Sequence, residues 1–209
     1  MLYTLHELAY QSAAPMRLGA QMMREFWSSP FNPASQTAMG RTAYASAEMF
    51  ESLTRRYGKP DWNLDVVNVD GHPVRTVQEV VWSSPWCRLI RFTRNEGDLK
   101  RAGKPVKAPA VMIVAPLSGH YATLLRGTVE TFLQDFDVHV TDWTNARQVP
   151  VLEGRFDFFD YMDHVRAMLG QIGPRAHVVA VCQPGPPVLA AAALMAEDED
   201  PARPASMIH

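Results

Sequence analysis

The chain has 209 residues, 47% hydrophobic and 20% charged, with a formal net charge of −2. That length supports one globular domain with a sizeable core, and the charge supplies no basic excess for nucleic acid. The longest apolar runs, such as Ala108–Pro116, fall far short of the ~20 residues of a membrane helix, so no transmembrane segment is expected. The opening Met-Leu-Tyr-Thr-Leu-His-Glu lacks the basic and apolar regions of a secretory signal. Two cysteines, Cys87 and Cys182, allow at most one bridge, which fits a reduced cytoplasmic setting.

Residues 1–59 read as a helical segment. Leu5, Leu8, Ala9, Ala13, Met16 and Leu18 recur at helical spacing, and Met22, Met23 and Phe26 extend the pattern. Ser28–Ser29–Pro30 breaks it, and a second helix is expected from about Thr42 to Tyr57, stopped by Gly58. The 11 methionines read as flexible core filler or, alternatively, as an adaptable surface. From residue 60 the character changes. Leu64–Val69 is β-branched and ends at Asp70–Gly71, a hairpin signal. Val74–Trp82 and Cys87–Phe92 follow as strands, and Asn95–Lys107 reads as a charged surface connection. Strands then alternate with helices: Ala110–Ala115, a helix over Tyr121–Leu133, and Phe136–Thr141. A helix through Phe158, Tyr161, Met162, Val165, Met168 and Leu169 comes next, with Asp157 as its N-cap. His177–Val181 and a helix over Val188–Met195 complete the series. Such alternation implies an α/β fold, a mostly parallel sheet covered by helices.

The segment His177-Val-Val-Ala-Val-Cys-Gln-Pro-Gly runs an apolar strand into Cys182 and opens a helix a few residues later. This is the geometry of a nucleophile elbow, where a reactive side chain is presented on a tight turn above the sheet. Ala180 supplies the small neighbour such a turn needs. Pro184 replaces the usual glycine, but proline suits the first helical position. The Gln183 N–H would supply one oxyanion-hole donor, and the helix N-terminus favours a thiolate. The other reading, a small buried hydrophobe, remains open for Cys182 on the junction alone.

A second element joins it. The strand before Ala115-Pro-Leu-Ser-Gly-His120 ends in a glycine turn that leads directly into a helix. In elbow enzymes a loop of this kind donates the other oxyanion amide, and Leu117 and Ser118 are expected to provide it. His120 precedes the nucleophile and so falls outside the usual order of nucleophile, acid, then base. It reads as a substrate-facing residue or as a loop histidine satisfied by backbone. Asp142 and Trp143 lie at the end of the strand Phe136–Thr141, and active-site loops gather at the carboxyl ends of parallel strands. They line the substrate, or they cap a turn and pack. Cys87 reads as structural. No metal-ligand spacing is visible, and no cofactor is expected.

Taken together, the opening Met1–Glu7, the stretch Leu53–Pro60, the loop Ala115–His120, the segment Leu124–Glu130, the run Val140–Trp143 and Val181-Cys-Gln-Pro184 resemble the intracellular polyhydroxyalkanoate (polyhydroxybutyrate) depolymerase family. The resemblance implies an α/β-hydrolase-like fold over 60–209 and hydrolysis of ester bonds in stored poly(3-hydroxyalkanoate). It implies Cys182 as nucleophile, no metal or organic cofactor, and the polymer granule surface as partner. It also implies a longer chain, with the acid and base on later strands. The present sheet is therefore expected to be incomplete at its C-terminal side, with His209 a poor base and the chain inactive alone. Two further readings stand beside it: a non-catalytic granule- or partner-binding remnant, and a polyester synthase-like acyltransferase that also uses an elbow cysteine.

Overall fold

A computed structural model of the protein describes residues 2–117 and 121–209. Contacts divide the chain into two units, Met1–Gly58 and Lys59–His209, where composition placed the change at 59/60.

The first unit is a helical hairpin. Helices α1 (Leu2–Ser12) and α2 (Ala14–Ser28) follow one another almost without interruption, joined through Ala13, whose N–H donates to the Ala9 carbonyl. Pro15 lies in the first turn of α2. It has no N–H to offer the preceding turn, which accounts for the break. After Ser29–Pro30 a single 3₁₀ turn, Pro33–Gln36, leads to α3 (Ala38–Thr54). The Thr37 hydroxyl caps α3 by accepting the Gly40 N–H at 3.1 Å. Gly40 is required there because a Cβ would collide with the Ala34 carbonyl.

The hairpin is packed polar side inward. Glu51 is 1% exposed and ion-paired to Arg24 at 3.5 Å and Arg55 at 3.2 Å. The guanidinium groups of Arg17 and Arg56 each lie against the Tyr10 ring, at 3.9 and 4.0 Å from its centroid, and Arg56 grips Glu7 with two hydrogen bonds of 2.7 and 3.0 Å. Small residues Gly40 and Ala47 are buried on α3. The residues that announced the helices in the sequence point the other way: Leu5, Leu8, Met16, Leu18, Met22, Met23 and Phe26 are all exposed, and α2 buries none of its residues. Periodicity located the helices, but burial depends on which face finds a partner.

The second unit holds one sheet. Among the described residues it contains seven strands: β1 (Val66–Val69), β2 (His72–Ser83), β3 (Cys87–Arg94), β4 (Ala110–Val114), β5 (Asp137–Trp143), β6 (His177–Ala180) and β7 (Ser206–Ile208). Their spatial order is β1-β2-β3-β5-β4-β6-β7. The sheet is mixed rather than mostly parallel. Strands β1, β2, β3 and β5 pair antiparallel, whereas β5, β4, β6 and β7 pair parallel. The reason lies in the connections, since a tight turn can only join antiparallel strands. Asp70 (φ 48°) and Gly71 (φ 85°) make a two-residue turn of the kind that suits hairpin twist. Beyond β3, helical crossovers permit parallel pairing. They are α5 (Arg126–Phe132), preceded by a 3₁₀ turn at Ala122–Leu125, then α6 (Phe158–Ile172) and α7 (Gly185–Glu197). Helices α6 and α7 pack on each other. The connection through α5 runs across the sheet in the opposite sense, so right-handed crossover puts it on the other face. Val111–Ala115 are all buried, as a strand covered on both faces requires.

Local chemistry fixes the ends. Asp157 and Asp160 form a reciprocal capping box at the start of α6. The Asn95–Lys107 connection contains a short helix, α4 (Glu96–Arg101), capped by Asn95. Asp98 on it accepts from the Arg75 backbone N–H at 3.0 Å and the Arg75 side chain at 2.8 and 3.1 Å, and also pairs with Arg101. Arg75 above all holds this carboxyl well below the usual carboxylate range. The stabilisation is therefore complete above the ordinary aspartate pKa near ~4 and drains away as pH falls below it toward the depressed folded value. Denaturant midpoints are expected to fall more steeply with acidification below that pH in the wild type than in Asp98→Asn, which cannot titrate. Parallel slopes for the two proteins would contradict the assignment.

Candidate active site

The parallel strands β4, β5, β6 and β7 end at one edge, and the order reverses at β4, whose neighbours are β5 and β6. In open α/β sheets, ligands bind beyond the carboxyl ends of the strands at such a switch point. Cys182 and the segment that starts at Ala115 both emerge there. Val114 pairs with Ala180, and the Val181 N–H donates to the Val114 carbonyl at 3.2 Å, so the two segments leave the sheet side by side.

Cys182 lies between β6 and α7 with φ of 68°. A non-glycine residue in the left-handed region costs on the order of 1 kcal/mol and persists only where its surroundings impose it. Here the Gly185 N–H closes the turn onto the Cys182 carbonyl at 3.1 Å. Ala180 is buried beneath it. Pro184 is the residue before the first helical position rather than the first itself, and its carbonyl accepts the Val188 N–H at 3.0 Å. Pro186 and Pro187 fall in the first turn of α7, where missing N–H groups leave no bond unmade. The result is a free, exposed thiol on a tight strand-to-helix turn. Cys87, by contrast, is a free thiol inside the core, and burial pushes its pKa far up. Only Cys182 has the access that a reacting thiol needs.

Gln183 follows Cys182 and is exposed, and Leu117 is half-buried against the core. Ser118 and His120 lie outside the described residues. The root of their loop is held from β5. The Ala115 N–H donates to the Thr141 hydroxyl at 2.9 Å, and the Trp143 indole N–H donates to the Ala115 carbonyl at 2.9 Å. Trp143 is 7% exposed and stacks on Tyr161 with ring centroids 4.4 Å apart. Asp142 is 3% exposed and ion-paired to Arg88 at 2.7 Å and to Lys59. The structure gives neither residue an open face for the substrate-lining role read from the sequence, and Trp143 takes the alternative reading of packing. A lining residue needs a free face, and these are committed to packing and to a charge pair. Thr141 and Ala115 were missed. The available signal was Thr141 itself, because a polar residue inside a buried strand must find a hydrogen-bond partner.

The His209 ring lies over the first turn of α7, where a Cβ on Gly185 would sit 3.5 Å from its Nδ1. It reaches that place because β7 pairs parallel with β6 and ends at the same edge. Another imidazole, His164, meets the Ser84 hydroxyl at 2.9 Å and the Asp160 carbonyl at 2.7 Å. Ser84 also accepts the Trp86 and Cys87 N–H groups, each at 3.1 Å, so it closes the β2–β3 turn and is not presented for reaction. Among the described residues, no hydrogen bond joins a histidine to a carboxylate side chain. No cluster of them could hold a metal ion, and no helix is long and apolar enough to cross a membrane.

No family model matches the chain, and no curated protein matches it.

Proposed function

We propose that the protein is an α/β-hydrolase-type esterase in which Cys182 attacks ester bonds of a stored poly(3-hydroxyalkanoate). The observation that carries the reading is the exposed Cys182 thiol, held at positive φ on the turn between the parallel strand β6 and its helix. The strand order supports it too. From β2 onward the sheet runs two antiparallel strands, then β5, β4, β6 and β7 with the reversal beside the cysteine, which suits an elbow built on such a sheet. The choice of polyester rests on the sequence resemblance alone. On this reading the protein works at the surface of intracellular polymer granules.

In the proposed reaction the Cys182 thiolate adds to the ester carbonyl carbon, and backbone amides near Gln183 and Leu117 hold the resulting oxyanion. Collapse breaks the bond to the alkoxide of the departing hydroxyacid unit, which takes up a proton. Water then cleaves the thioester, releasing the carboxylic acid and restoring the thiol. A trapping experiment tests the first half without requiring turnover. The protein is incubated with an activated 3-hydroxybutyryl ester, and the acyl group is located by peptide mass mapping. Acylation confined to Cys182 is expected. Labelling that ignores Cys182, or equals that of an unfolded control, would remove the proposal.

A further inference from the structure

We propose that residues 2–58 pair with the same residues of a second copy of the chain, making the protein a two-fold symmetric dimer. The surface involved is the outward stripe of α1 and α2 from Leu5 to Phe26. Met22 is 63% exposed and Phe26 60%. At 100° per residue the seven large apolar side chains of the stripe share one broad arc. The charged residues of these helices bound that arc or turn inward to Glu51 and to the Tyr10 cluster. An amphipathic helix ordinarily buries its apolar side within its own unit. This hairpin does the reverse, so the apolar side is left to something outside it.

Three features select a second copy as that partner. The first is area. A covered Leu, Met or Phe side chain removes roughly 100 Å² from water, so seven of them give about 700 Å² per partner, close to the ~800 Å² of a stable interface. The second is charge. The stripe carries none between its edges, so two identical copies meet without like charges facing, as an isologous contact requires. The third is shape and composition. The stripe runs about 30 Å along the helix axis, and its methionines adapt to a facing surface of the same kind. Antiparallel pairing of the stripes puts the symmetry axis near the middle, at Met16.

Sedimentation equilibrium of the full chain tests the proposal. A single species of twice the chain mass is expected at micromolar concentration. The double variant Met22→Glu, Phe26→Glu is expected to weaken association by at least roughly 100-fold, while Leu124→Glu, an exposed site in the second unit, is expected to leave it unchanged. Circular dichroism reports whether the helices persist in each. Should the double variant lose helix, Met16→Cys in a Cys182→Ser background gives an independent readout, because mild oxidation would link two copies across the axis. A wild-type protein monomeric throughout, a double variant that keeps both its helix and its dimer, or no Met16→Cys crosslink would each overturn the proposal. So would a monomer that adsorbs through the same residues to phosphatidylcholine vesicles or amorphous polyester particles, which would make an apolar surface the occupant.

Discussion

Acylation by an activated 3-hydroxybutyryl ester is expected to fall by at least about 10³-fold when Cys182 is replaced by alanine, with the fold unchanged. The size of the effect follows from how two other candidate nucleophiles, Cys87 and Ser84, are placed. Cys87 is buried, and burial raises its thiol pKa. Ser84 is engaged by His164 and two backbone amides. Cys182→Ser puts a hydroxyl, a weaker nucleophile than a thiol, at the same turn, so its rate is expected to lie between the two. Stopped-flow release of the leaving group measures all three. An alanine variant that acylates at the wild-type rate would show that the exposed thiol is not the reacting group.

The second large effect concerns stability. Trp143→Ala is expected to destabilise the second unit by about 3–5 kcal/mol. The substitution removes the ring stacked on Tyr161 and leaves the Ala115 carbonyl without its indole donor. Trp143→Phe separates the two contributions. It keeps an aromatic ring against Tyr161 and strips only the hydrogen bond, for an expected cost of about 1–2 kcal/mol. Both variants are expected to slow acylation of Cys182 as well, because Ala115 anchors the loop that carries Leu117. Denaturant melts followed by circular dichroism give the stability differences. An unfolding midpoint for Trp143→Ala equal to that of the wild type would mean that β5 does not hold this loop.

What the sequence disclosed, and what it withheld, follows the range of the interactions. Asp157 was legible as a cap, and Asp70–Gly71 as a turn, because each acts within a few residues of itself. The strand-to-helix turn at Cys182 was legible because strand, cysteine, prolines and helix are contiguous. Helix α4 was hidden, since its six residues Glu96–Arg101 are charged and glycine-containing, and its anchor, Asp98 to Arg75, spans distant positions. The burial of Asp142 and Trp143 depends on Lys59, Arg88, Ala115 and Tyr161, which no local pattern connects to them. The same limit applies to His209, whose place beside Gly185 is set by the pairing of β7 with β6. The first unit is the sharpest case. Its apolar period was plain, yet nothing in the period states which side of a helix meets its neighbour.

That inverted hairpin has a consequence for folding cooperativity. Heat capacity and denaturant sensitivity of unfolding both scale with the apolar surface a structure hides. A unit held by Glu51, Tyr10 and small residues hides little of it, whereas β4 and its neighbours hide a great deal. The chain should therefore melt in two steps. The first would be shallow, with a small heat-capacity change, as residues 2–58 come apart, and the second steep, as the sheet unfolds. If the hairpin is covered by a second copy, only the first step moves with protein concentration, so one melting curve would report two independent equilibria.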